Sequence, residues 1–138
     1  MDFDGRTGQP VTKGQSTMGK MVPILFQMRE TEMLFVTKLP DWLVACFRIA
    51  LLGEIYPNIR AIAVGYHESG FVLIRYYLDR QPTDFDFESL EVVATNLDAL
   101  GEKEQAINKI DIQCVHAAGA KRDLEPISGF IYSRREHE

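Results

Sequence analysis

Two apolar runs, Ile59–Tyr66 and Phe71–Asp79, stand four residues apart, and any fold of this chain has to pair them. Both are rich in Ile, Val, Phe and Tyr, the residues that suit a pleated, buried surface. The connection His67-Glu68-Ser69-Gly70 is short enough to return the chain on itself, so the two runs read as an antiparallel hairpin. A period of two puts Val72, Ile74, Tyr76 and Leu78 on one face of the second strand. Phe71, Leu73, Arg75, Tyr77 and Asp79 share the other, a mixed face of the kind expected on a sheet with one side toward water.

An apolar sheet face needs cover, and two segments can supply it. Pro40 stands at a helix start and Gly53 at its end, the usual asymmetry of the two residues. Between them Leu43, Val44, Cys46, Phe47, Ile49, Ala50, Leu51 and Leu52 cover most of the circumference, leaving Asp41 and Arg48 as a polar stripe. This helix is expected to be buried on most sides as the spine of the core. Thr83-Asp84-Phe85-Asp86 has the capping-box pattern, so a second helix is predicted from there to Gly101.

Ile107–Val115 reads as a third strand, with Ile110, Ile112 and Cys114 inward and Lys109, Asp111 and Gln113 outward. A Gly- and Pro-containing loop, residues 117–129, leads to a last strand, Phe130–Arg134. The order α-β-β-α-β-β predicts an α+β fold: an antiparallel sheet of four or more strands with two helices packed on one face. Val22–Phe26 and Met33–Val36 are candidates for an extra N-terminal hairpin on a sheet edge. Residues 1–20 hold four glycines among Thr, Gln and Ser with no apolar period. They are expected to form a flexible tail, outside a single domain of residues 21–138.

At 138 residues and 46% hydrophobic, the chain has material for one core. A net charge of −5 disfavours the basic stripe of a nucleic-acid binder and suits a basic protein partner. The longest apolar run, Leu43–Leu52, is interrupted by Arg48 and falls short of the roughly 20 residues that span a bilayer. No signal peptide is visible, so the expected address is the cytoplasm. Cys46 and Cys114 lie in apolar patterns and are expected to be buried, reduced and slow to react. His67, His116 and His137 have no second ligand at metal spacing, and the common phosphate, dinucleotide and nucleophile motifs are missing. The residues therefore predict no catalytic site, no metal and no cofactor.

The informative charge pattern lies on the second helix. At 100° per residue Phe87, Leu90, Val93, Ala94, Leu97 and Leu100 form a broad core face. Asp84, Glu88, Glu91 and Asp98 form a narrow stripe away from it, joined by Thr95, with Phe85 and Val92 seven residues apart on its flank. Asp79–Glu104 carries eight acidic and two basic residues, a net −6 that holds the whole negative excess of the chain. Charged helix faces are commonly just solvated. The other reading is a docking surface in which the acids meet a partner's Lys and Arg while Phe85 and Val92 serve as apolar anchors. The partner-binding candidates are accordingly Asp84, Phe85, Glu88, Glu91, Val92 and Asp98.

Several segments stand out in order along the chain. Leu52-Gly53-Glu54-Ile55-Tyr56-Pro57-Asn58-Ile59-Arg60-Ala61-Ile62 precedes the strand end Arg75-Tyr76-Tyr77-Leu78-Asp79, then Gln81-Pro82-Thr83-Asp84-Phe85-Asp86, and late in the chain Ile131-Tyr132-Ser133-Arg134-Arg135-Glu136. Together they resemble a family of small bacterial immunity proteins linked to contact-dependent growth inhibition and related polymorphic toxins, over about Leu39 to Glu136. The resemblance implies a cytosolic, non-catalytic protein that binds one cognate toxin domain, commonly a nuclease, and blocks it. It supplies no fixed site residues, because such proteins share a scaffold while their binding surfaces diverge. The free protein is expected to be a monomer. The competing reading is a structural or regulatory homodimer joined through the outer sheet face at Leu73, Arg75 and Tyr77.

Overall fold

In the computed structural model, which describes residues 11–13 (backbone only), 34–101 and 107–136, the expected hairpin lies at the centre of the sheet. The described elements in chain order are β1 (Val11–Lys13), α1 (Asp41–Ala50), β2 (Ile59–Tyr66), β3 (Phe71–Leu78), α2 (Asp84–Gly101), β4 (Lys109–His116), a 3-10 turn (Lys121–Asp123) and β5 (Gly129–Ser133). Their sheet order is β1-β4-β3-β2-β5. β1 falls within the first twenty residues, so that three residues of the expected tail pair antiparallel with β4, Thr12 opposite Gln113. Val22–Phe26 lies outside the described residues; of the second candidate run, Val36 donates one backbone bond to the Tyr66 carbonyl at 2.8 Å.

The sheet is mixed, which corrects the expectation of an antiparallel one. β2 pairs antiparallel with β3 and β5, but β3 and β4 run parallel, with Ile74 opposite Ile112 and Tyr76 opposite Cys114. The reason is α2: a helix inserted between two neighbouring strands carries the chain back across the sheet, so the second strand re-enters in the direction of the first.

Both helices lie on the face formed by Ile62, Val64, Val72, Ile74, Tyr76, Ile110, Ile112 and Cys114. α2 contributes Phe87, Leu90, Val93, Ala94 and Leu97, as its periodicity predicts. α1 departs from expectation. It buries Leu43, Phe47 and Ala50 but leaves Ile49 56% and Leu52 73% exposed, with Val44 and Cys46 only half-buried. A helix laid on a sheet turns one stripe down, and apolar residues on the remaining arc stay in water unless something else covers them.

The outer sheet face is a second correction. Leu73, Arg75 and Tyr77 are buried, and so are Lys109, Asp111 and Gln113. Arg75 Nε donates to Gln113 Oε1 at 2.7 Å, its Nη1 donates to the Tyr77 hydroxyl at 3.1 Å, and Tyr77 in turn donates to the Glu125 carbonyl at 2.8 Å. The loop after β4 thus lies over this face, with Leu124 and Ile127 packed near Ala61, Ala63, Tyr77 and Val115. Its approach is close: a Cβ on Gly65 would sit 2.6 Å from Ile127 Cγ2, so only glycine fits there. The polar groups on the face are held within the chain, which withdraws the surface assigned to a homodimer contact.

The thiols divide on the same grounds. Cys114 is fully buried while Cys46 is half-buried, and neither forms a disulfide. Under native conditions a thiol reagent should label Cys46 well before Cys114, which should react only on unfolding. Equal rates, followed by mass spectrometry, would contradict the packing of β4.

Candidate partner-binding surface

The motif segments prove to be internal fasteners. Thr83 caps α2, and Asp86 in its first turn reaches back to accept the Thr83 backbone N–H at 2.7 Å and the Thr83 hydroxyl at 3.0 Å. That is one half of a capping box. The same carboxylate, fully buried, accepts Arg80 Nη1 at 2.6 Å, Arg80 Nη2 at 3.1 Å and the Tyr56 hydroxyl at 2.6 Å. Burial pushes the Asp86 carboxyl upward, but the donors from Arg80, Tyr56 and Thr83 outweigh it and hold the group below the usual carboxylate range. Burial and the Asp86 carboxylate together push the Tyr56 hydroxyl well above its ordinary value.

A second fastener closes the C-terminal end. The β2–β3 register slips between Ile59 and Ala61, a bulge at Arg60 that re-aims its side chain. Arg60 meets Glu136 with two bonds, Nε to Oε2 at 2.8 Å and Nη2 to Oε1 at 2.6 Å, while its Nη1 donates to the carbonyls of Ala117 and Gly119 at 2.7 Å each. Arg134 also donates to Glu136, and its Nη1 reaches the Pro57 carbonyl at 2.7 Å and Asp79 Oδ2 at 2.9 Å. Asn58 donates to the other oxygen of Asp79, and Lys121 Nζ donates to the Arg134 carbonyl. Pro57, Asn58, Arg60, Asp79, Arg134 and Glu136 therefore tie the bulged start of β2, the end of β3 and the chain terminus into one network.

With these residues engaged inside the scaffold, the outer face of α2 is left as the acidic surface. Asp84 and Glu88 are exposed and Glu91 is half-buried. None of the three forms an ion pair among the described residues, unlike Asp79 and Asp86, which pair with Arg134 and Arg80. Phe85 is 57% and Val92 47% exposed. Phe85 is also held in place, its ring edge-on to Tyr56 with centroids 5.1 Å apart. Glu88, Glu91, Val92, Thr95 and Asn96 line a shallow depression of about 270 Å³. Asp98 lies further along the helix, half-buried and engaged in contacts of its own, so it is the weakest member of the predicted set. Ile49 in α1 and Leu52 just beyond it were assigned by periodicity to the core, and Ile55 to no role, yet all three are exposed; for the first two the signal is an apolar arc wider than one sheet face can cover.

No group of three His, Cys, Asp or Glu among the described residues is placed to hold a metal ion, and no described helix is long and apolar enough to cross a membrane. The described residues thus form a small α+β scaffold that turns one acidic helix face outward, and the sequence motifs resemble those of small bacterial immunity proteins. The comparison with protein families agrees: residues 40–136 match the MafI2 immunity protein model, and the chain belongs to that family. No curated protein matches it.

Proposed function

We propose that this protein neutralises one cognate toxin domain by tight stoichiometric binding in the cytoplasm, without catalysis. The contact is the outer face of α2, with Asp84, Glu88 and Glu91 supplying charge, Phe85 and Val92 supplying apolar anchors, and Asp98 at the margin. The reading rests on one observation: Asp84, Glu88 and Glu91 form no ion pair among the described residues, yet flank two exposed apolar side chains, Phe85 and Val92. The matching toxin surface is basic. A nuclease fits best, because the Lys and Arg that hold a phosphate backbone are ready partners for a carboxylate stripe.

The test is the binding kinetics of Glu88→Lys with Glu91→Lys against the cognate toxin domain, at two salt concentrations. Both side chains point away from the core, so the melting temperature should hold. Affinity should fall by about 2–5 kcal/mol, the range for losing desolvated charge pairs, with added like-charge repulsion. Much of the loss should appear in the association rate and shrink at high salt. Wild-type affinity in a folded variant would leave the stripe as a plain solvated face.

A further inference from the structure

We infer that the docking surface does not end at α2 but continues across the end of α1 and the segment that follows it, where Ile49, Leu52 and Ile55 form its apolar half. The inference rests on the toxin-binding reading above and extends it: the toxin face that fits is an apolar patch bordered by basic residues, rather than a basic surface alone.

Ile49, Leu52 and Ile55 are spaced three residues apart through the end of α1 and the turn after it, and are 56%, 73% and 40% exposed. Ile49 and Leu52 are neighbours through the closing turn of α1, while Ile55 lies two residues beyond Gly53, outside the helix. The Leu52 N–H donates to the Ile49 carbonyl at 3.2 Å and the Glu54 N–H to the Leu51 carbonyl at 3.0 Å, so the turn is fixed rather than frayed. Gly53, at φ 77°, supplies the left-handed residue that ends the helix. Tyr56 follows directly, and its ring carries Phe85 while its hydroxyl holds Asp86. Tyr56 is thus the joint between the two apolar groups: Ile55 lies beside it in the chain and Phe85 against it in space. Single exposed apolar residues need no explanation, but a cluster of this kind rimmed by charge marks an interaction site.

The charge around the cluster selects the occupant. Asp84 and Glu88 stand within one helical turn of Phe85 and carry no partner among the described residues. A second copy of this chain would bring the same acids against them, whereas a basic toxin domain meets them with opposite sign. An apolar centre with a charged border is also the arrangement in which water is excluded from the ion pairs at the rim.

The experiment compares Ile49→Ser with Leu52→Ser, in one chain, against the Glu88→Lys/Glu91→Lys variant, using the same toxin domain. Both positions are more than half exposed, so the melting temperature should stay near that of the parent; Ile55→Ser alone serves as a second variant that leaves α1 intact. The expected result is a dissociation rate raised roughly ten- to a hundredfold, as for loss of apolar anchors, with the salt dependence of binding unchanged. Wild-type kinetics in both serine variants, with binding lost in the lysine variant, would overturn the extension while sparing the α2 reading. Wild-type kinetics in all three would overturn both. Unchanged toxin binding together with conversion of a dimer to a monomer, read by light scattering, would make a second copy the occupant and overturn the inference.

Discussion

Asp86→Asn should destabilise the protein by about 3–5 kcal/mol, the range for breaking an ion pair at its enclosed member, since Asp86 is fully buried while the Arg80 side chain is 34% exposed. The side chain is fully enclosed and takes five hydrogen bonds, from Arg80, Tyr56 and Thr83. Asparagine keeps one acceptor oxygen but turns an N–H group toward donors on the other side. The charge that balances the Arg80 guanidinium is gone. Tyr56→Phe should do less, about 1 kcal/mol, because it deletes a donor and leaves the carboxylate with Arg80 and Thr83. Denaturant unfolding separates the two cases from a general loosening: midpoints should fall with unchanged slope. The pH response has a definite sign. The folded-state pKa of Asp86 is depressed, so its contribution is complete above the usual carboxylate range and fades as pH falls through the lower folded value. Asp86→Asn should remove that part of the acid sensitivity. A midpoint within experimental error of the parent would mean that the carboxylate is not the fastener the geometry describes.

The consequences of this fastener reach the surface. Asp86 sits one residue after Phe85 and holds the hydroxyl of the ring against which Phe85 rests. Through Tyr56, Arg80 and Thr83 the carboxylate ties the first turn of α2 to the segments on either side of the hairpin. Glu88 and Glu91 follow two and five residues further along the same helix.

Periodicity was a sound guide wherever one residue's environment depended on its own strand or helix. Val72, Ile74, Tyr76 and Leu78 point inward together, α2 buries Phe87, Leu90, Val93, Ala94 and Leu97, and Thr83 begins the helix that its capping pattern predicts. It was silent where the answer depended on a neighbour. Alternation in Ile110, Ile112 and Cys114 is the same whether β4 runs with or against β3, and only the intervening helix decides for parallel. The mixed face of β3 read as solvent-facing because Arg75 and Tyr77 are polar, but Gln113 and the Glu125 carbonyl satisfy them from 38 and 48 residues away. α1 failed in the opposite sense, since an apolar residue such as Leu52 looks the same whether it meets a core or a partner. For the candidate surface, the positions of Asp84, Phe85, Glu88 and Val92 on an outward face were legible, and their lack of internal partners was not.

The last expectation concerns the C-terminal clasp, where Glu136→Gln should cost about 3 kcal/mol, the lower end for breaking a buried pair. Glu136 accepts two bonds from Arg60 and further bonds from Arg134, and both charges of the Arg60–Glu136 pair are largely enclosed, at 9% and 13% side-chain exposure. Arg60 would keep the carbonyls of Ala117 and Gly119, and Arg134 would keep Asp79 and Pro57, which is why the loss stays below that of Asp86. Hydrogen bonding from Arg60, only partly opposed by burial and reinforced by Arg134, holds the Glu136 carboxyl at about 2. Because the folded value lies below the ordinary 4.5, the stabilisation is complete above about pH 4.5 and is lost as pH falls toward 2. The parent should therefore weaken steeply across that window, and Glu136→Gln should weaken less, its larger deficit being already present at pH 7. Position matters as well as charge: the clasp joins the bulge at Arg60 to the chain end, so its release should free β5 while leaving α2 and its acidic face in place. Hydrogen exchange would show this as faster exchange in Gly129–Ser133 and in the paired half of β2, with α2 protected as before. Faster exchange in α2 itself would tie the clasp to the docking surface and sink the separation drawn between scaffold and site.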